Sequence, residues 1–139
     1  MSEIMANVSC VALRGRGVLI TGEPGSGKSS LALALLDRGA ELVGDDGVDL
    51  ALDGDRVLAS PPPNTAGLIE IRNVGLLEVP TATAPIAIVI ALDPAAERLP
   101  LGAGEAWLLD CRVPQVALYP DTPALPLRAE AALEIHGLP

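Results

Sequence analysis

The chain has no phenylalanine, one tryptophan and one tyrosine in 139 residues, although half of its residues are apolar. Any core it builds is therefore aliphatic, and a single domain of this length buries enough surface to have one. Lysine and histidine each occur once. Of the nine basic residues one is Lys28, which leaves eight arginines. The two cysteines, Cys10 and Cys111, form no CxxC or metal-ligand spacing. Two structural thiols in a reducing compartment are expected, and no zinc. His136, in IHGLP, reads as a C-terminal helix residue. The longest apolar run, 86-IAIVIAL-92, is far shorter than the roughly 20 residues of a spanning helix. MSEIMANVSC lacks the basic region and apolar stretch of a signal peptide. These absences lead to the expectation of a soluble, cytoplasmic protein with no membrane partner. Eighteen acidic residues against nine basic ones give a net charge of −9. Such a surface repels phosphate backbones, so a nucleic-acid partner is not expected.

The elements follow from periodicity and punctuation. Residues 17-GVLIT-21 read as a buried strand ending at Gly22. From Lys28 to Arg38, Leu31, Leu35 and Leu36 fall at helical spacing, with Gly39 as the C′ residue. A short strand, 41-ELVG-44, runs into Asp45-Asp46. In 48-VDLALDGDRVLA-59, Asp53-Gly54 lies between two alternating runs and predicts a hairpin with a two-residue turn. The proline-rich 60-SPPPNTAG-67 is a loop. The run 68-LIEIRNVGLLEV-79 reads as a strand, a glycine-containing bend and a second extended piece. Residues 86-IAIVIALD-93 form the most hydrophobic strand, closed by Pro94. Prolines at 100, 114, 120, 123 and 126 then predict a loop-rich stretch, before a helix over 127-LRAEAALEIH-136. The order of elements predicts an α/β fold with a mixed sheet and an attached β-hairpin.

The single lysine sits in a motif. Gly22, Gly27, Lys28 and Ser29 satisfy G-x-x-x-x-G-K-[ST], with Glu23, Pro24, Gly25 and Ser26 between them. Glycines let backbone N–H groups turn inward around phosphate oxygens, and the following helix points its positive end at them. The lysine reaches the β- and γ-phosphates, and the serine hydroxyl ligates Mg²⁺. A compact ammonium suits that position better than the planar fork of arginine. ATP and Mg²⁺ are the expected cofactors. A phosphoryl-transfer site also needs an acid. Pattern alone leaves two candidates, Asp93 at the end of IAIVIALD and the pair Asp45-Asp46. Adjacent strand residues point to opposite faces, so one of that pair faces the phosphates unless the chain bends.

The run GVLITGEPGSGKSSLALALLDRGAELVGDDGVDL, followed by LIEIRNVGLLEV, resembles the catalytic domain of the HPr kinase/phosphorylase family, in its short form without an N-terminal domain. The family's motifs correspond to Gly22–Ser29, Arg38-Gly39, Val43–Asp46 and Leu68–Gly75, and the resemblance covers about residues 7–79. It implies a P-loop kinase-like core related to phosphoenolpyruvate carboxykinase. It also implies phosphorylation of a serine on HPr or an HPr-like phosphocarrier protein of the phosphotransferase system, removal of that phosphate by phosphorolysis, and a homo-oligomer, a hexamer in the family. Carried over by position, Lys28 binds the transferred phosphate, Ser29, Glu70 and Asp45 form the metal set, and Asp46 is the base. Arg72 stabilises the transferring group. Two positions depart: Asn7 stands where the family has a catalytic histidine, and Asn73 where it has a glycine. Asn7 cannot titrate near neutrality, whereas Asn73 tolerates left-handed backbone angles. No motif marks which of Arg98, Arg112 or Arg128 would match the family's further arginine. The alternatives are a nucleotide-binding regulatory protein without transfer and a small-molecule kinase on the same core.

Overall fold

The computed structural model describes residues 2–120 and 122–139. In chain order the first half comprises β1 (Ser2–Ala6), β2 (Ser9–Leu13), β3 (Arg16–Gly22), α1 (Lys28–Asp37), β4 (Glu41–Gly44), β5 (Gly47–Asp53) and β6 (Arg56–Ser60). The second comprises β7 (Leu68–Ile71), β8 (Gly75–Glu78), β9 (Ala84–Leu92), β10 (Gly104–Leu108), β11 (Cys111–Leu118) and α2 (Leu125–His136). Nine strands form one mixed sheet in the order β1-β5-β6-β9-β3-β2-β4, with β11 also on β9 and β10 on β11. β7 and β8 pair as a separate hairpin.

β9 is the axis. It runs parallel to β3 along residues 86–92 and parallel to β11 along 89–92, and it meets β6 antiparallel only at Ala84 and Pro85. Its seven-residue apolar run is what a strand buried on both faces requires. Alternation along the central strands splits the core in two. Val11, Ile20, Ile88 and Ile90 pack under Leu31 and Leu35 of α1 and Leu133 of α2. Cys10, Leu19 and Val89 face the other way, against Val48, Leu50 and Val57 of the β5–β6 hairpin. The sheet therefore curls, so that its β1-β5-β6 part covers the face the helices leave open. Each fully buried Leu or Ile contributes about 1.5–3 kcal/mol, which lets an aliphatic core do without aromatics. Arg16 ties the end of the chain to this core: its guanidinium donates to the carbonyls of Leu133 and Leu138.

α1 and β9 fall where the pattern put them, and Gly39 follows the helix at φ 101. Three expectations change. The turn of the β5–β6 hairpin is Gly54-Asp55, since Asp53 pairs with Arg56. The glycine is thus the first turn residue, not the second, and supplies the positive φ (65) that the tight turn demands. The helix over 127–136 begins at Leu125, because Pro126 sits in its first turn, where a missing N–H costs nothing. The loop-rich stretch contains β10 and β11. Its Pro114 pairs with Glu105, three pairs from the tight Leu108–Cys111 end. Hydrogen-bonded and non-bonded pairs alternate along such a hairpin, so Pro114 occupies a place where β10 needs no donor.

Candidate active site

Strand β3 leads into the P-loop and the P-loop into α1. The loop turns on itself, with the N–H of Ser26 donating to the Glu23 carbonyl at 3.0 Å. Gly27 caps α1 at φ 101 with no side-chain cap, and no acidic residue stands in the first turn. The positive end of the helix is therefore left to an external anion. Lys28 Nζ donates to the carbonyls of Gly22 (2.8 Å) and Glu23 (3.0 Å), which holds the ammonium across the loop with one N–H to spare.

Both aspartates of the Asp45-Asp46 pair reach this loop, and the reason is a corner in the sheet. β1 continues to β2 through Asn7, and β4 continues to β5 through Asp46. The two passages run antiparallel at the same level, joined by the Asn7 N–H donating to the Asp46 carbonyl at 3.2 Å. Asn7 (φ 63) and Asp46 (φ 60) are both left-handed, a conformation that Asn and Asp accept more readily than other side chains. The bend is tight: a Cβ on Gly44 would run into the carbonyl oxygen of Gly47. The alternation that would send one carboxylate away from the P-loop is broken at this corner.

The two carboxylates occupy different places. Asp45 is buried. Its Oδ1 accepts from Ser29 Oγ at 2.6 Å and from Ser9 Oγ at 2.9 Å, and its Oδ2 accepts from the Glu70 N–H at 3.0 Å. One carboxylate thus links the P-loop, β2 and the β7–β8 hairpin. Asp46 is exposed and lines a cleft of about 350 Å³. The same cleft is lined by Lys28, Ser29, Glu70 and Arg72, by Pro24, Gly25 and Gly27 of the loop, and by Asn7 and Ser30. The hairpin delivers Glu70 by strand alternation, since Ile69 beside it is fully buried in the core under α1. Asn73 adopts φ 69, the left-handed angle that an asparagine in place of glycine allows.

The rival acid lies elsewhere. Asp93 Oδ1 accepts from the Ala95 N–H at 2.8 Å, a local turn after β9, and Asp93 does not line the cleft. Neither do Arg98, Arg112 and Arg128; Arg112 sits on β11 at 3.3 Å from Glu105. Gly22, Glu23 and Ser26 also stand outside the cleft lining, the first two serving it through their carbonyls. Sequence reasoning missed Ser9 and Ser30. The available signal for Ser9 was a lone hydroxyl heading a strand otherwise apolar on both faces; Ser30 simply follows the motif.

The residues suit a small hard cation. Ser29 gives its hydroxyl proton to Asp45, which leaves its oxygen lone pairs for a ligand. Among the described residues no three His, Cys, Asp or Glu side chains gather as a metal cage. A cation here would be held by one or two carboxylates, a hydroxyl and phosphate oxygens, the arrangement magnesium favours.

Residues 2–118 match the family described as HPr Serine kinase C-terminal domain. The HPr kinase/phosphorylase of Clostridium tetani is 45% identical over 71 residues, 51% of this chain and 23% of that protein. That of Clostridium perfringens is 47% identical over 70 residues, 50% of this chain and 22% of that protein. The matched stretch thus spans about a quarter of those relatives' length. The solved structure of the Hpr(Ser) kinase/phosphatase from Coxiella burnetii superimposes with a TM-score of 0.82 at 30% identity, covering 96% of this chain and 90% of that one. The match over residues 2–118, in a chain that carries the P-loop, the bent acidic pair and the Glu70–Arg72 hairpin in this order, makes it a member of the HPr serine kinase C-terminal domain family.

Proposed function

We propose that this chain is an ATP- and Mg²⁺-dependent kinase that phosphorylates a serine of an HPr-like phosphocarrier protein. The observation that carries this reading is Asp46, bent by a left-handed residue into the cleft that Lys28 and Ser29 line. Magnesium, when bound, would supply positive charge that offsets the phosphate charge. Ser29 and Glu70 would hold it, and Asp45 would act through the Ser29 hydroxyl that it fixes at 2.6 Å. The Lys28 ammonium and the Arg72 guanidinium would stabilise the charge of the transferring phosphoryl group. Asp46 would take the proton of the attacking serine hydroxyl as its oxygen bonds to phosphorus and ADP departs. Run backwards, the protonated Asp46 would return that proton to the serine. The family resemblance also supports a cytoplasmic location and a homo-oligomer; light scattering of the purified protein checks the oligomer.

The test is intact-mass spectrometry of an HPr-like protein after incubation with this chain, ATP and Mg²⁺. One added phosphate on serine, absent with Lys28→Ala and with Asp46→Ala, is expected. No added phosphate, with Lys28-dependent ATP binding intact, would sink the kinase reading for that partner. A specific observation favours a second reading: Asn7 lines the cleft, where the family has a histidine. On that reading the chain is a nucleotide-responsive regulator, and Asn7→His raises turnover from none.

A further inference from the structure

Among the described residues, the polar residues buried with the core are Ser9 and Asp45, and they bond to each other, Ser9 Oγ donating to Asp45 Oδ1 at 2.9 Å. β2 is buried along its whole length, and its other residues, Cys10, Val11, Ala12 and Leu13, are apolar. By alternation Ser9 shares a face with Val11 and Leu13, the face packed under α1. A hydroxyl buried in such a row costs stability unless it is paired, so packing alone favours an aliphatic side chain at this position.

The three donors to Asp45 come from different parts of the fold. The Glu70 N–H belongs to the β7–β8 hairpin, which stands outside the main sheet and whose second strand is exposed throughout. Ser29 lies at the joint of loop and helix, and its hydroxyl proton must be held aside if its oxygen is to ligate a cation. Ser9 alone belongs to the nine-stranded sheet, where it pairs with Ile20 of β3. It donates to the same carboxylate oxygen as Ser29 and thereby refers that oxygen to the sheet.

We propose that Ser9 is a positioning residue for the cation site: acting through Asp45, it fixes the oxygen that holds the Ser29 proton. The proposal rests on the reading of Ser29 as a magnesium ligand and adds what keeps that ligand in place. Without the Ser9 hydroxyl, Oδ1 is held by Ser29 alone, the very group it has to orient, and the carboxylate can turn about its bond from the Glu70 N–H. The Ser29 proton then has no fixed acceptor and competes with a cation for the oxygen. Groups that orient a metal ligand typically change metal affinity by about 10–100-fold. Lys28 and the loop N–H groups do not bond to Asp45, so metal-free phosphate binding is spared.

The test measures ATP binding to the full chain by calorimetry, once with Mg²⁺ and once with EDTA. Ser9→Ala removes the hydroxyl without adding bulk. Ser9→Thr keeps the hydroxyl, and Ser9→Val matches the shape of threonine without it. Urea midpoints report whether each variant is folded, and Ser9→Ala decides alone where the added methyl of the other two is not accommodated. Ser9→Ala and Ser9→Val are expected to weaken ATP binding with Mg²⁺ by about tenfold and with EDTA by less than about twofold, whereas Ser9→Thr keeps most of the wild-type gain from Mg²⁺. Equal weakening with Mg²⁺ and with EDTA overturns the proposal, because the hydroxyl then only supports the fold. So does an undiminished Mg²⁺ gain in Ser9→Ala, or a folded Ser9→Thr as impaired as Ser9→Val. A wild-type chain with no gain from Mg²⁺ overturns the reading of Ser29 as a metal ligand, and one that binds no ATP overturns the nucleotide reading itself.

Discussion

Two strands of this molecule run into aspartate, and they make opposite use of it. β9 is nine residues long, almost wholly buried and central to the sheet, yet Asp93 beyond it closes a local turn. β4 has four residues and lies at the end of the sheet order, yet of the two aspartates after it Asp45 accepts from Ser29 and Asp46 lines the cleft beside the P-loop. A strand's hydrophobicity reports how deeply it is buried. It says nothing about where the residue after it points. That depends on which loops share its end and on whether the backbone bends, and at Asp46 it bends.

The sharpest way to break this contrast is at Asp46 itself. Asp46→Asn keeps a side chain that accepts φ 60 but removes the proton acceptor, so phosphoryl transfer should fall by about 10²–10⁴-fold with little change in the urea midpoint. An equal loss from Asp93→Asn would refute the assignment. Asp45→Ala comes next. It strips the acceptor from two hydroxyls and one backbone N–H around a buried site, and should cost about 3 kcal/mol in urea unfolding as well as weakening ATP binding. Asp45→Asn should recover part of that loss only, because its amide N–H₂ would face either the hydroxyls or the donating Glu70 N–H.

A smaller effect reads the corner from beneath. Cys10, paired with Gly44 across the β2–β4 ladder, is fully buried, and burial pushes its thiol well above the ordinary value of 9.0. The folded protein keeps this thiol protonated while the unfolded chain ionises, so stability is full below about pH 9 and declines as pH rises past it. Cys10→Ala should flatten that alkaline decline in a series of denaturation curves, at the cost of a small cavity. The least effect is expected from Asp93→Ala, within about 0.5 kcal/mol of wild type and with unchanged transfer.

Legibility followed the range of the interaction. The P-loop, α1, β9 and the two extended pieces β7 and β8 rest on local spacing and punctuation and stand where the residues put them, although the bend between the last two is 72–74 and Gly75 already belongs to β8. β10 and β11 were hidden by prolines, because Pro114 forbids a strand only where its N–H is needed, and pairing register decides that. The β5–β6 turn slipped by one residue for a related reason, since Asp53-Gly54 and Gly54-Asp55 both put a glycine in the bend and register chooses between them. Between Asp45-Asp46 and Asp93 the residues alone left a tie that only the family resemblance broke.

By itself, then, the sequence determined a glycine-rich loop on a strand–helix joint, an aliphatic core and one lysine where that loop meets the helix, because those depend on residue types within a few positions of one another. Only the tertiary structure decided that Asp45 holds Ser29 while Asp46 faces the cleft. It also left Asp93 outside the site. Those outcomes depend on a sheet that turns a corner between β4 and β5 and brings residues from β2, α1 and β7 to one carboxylate, across sequence separations that no local pattern spans.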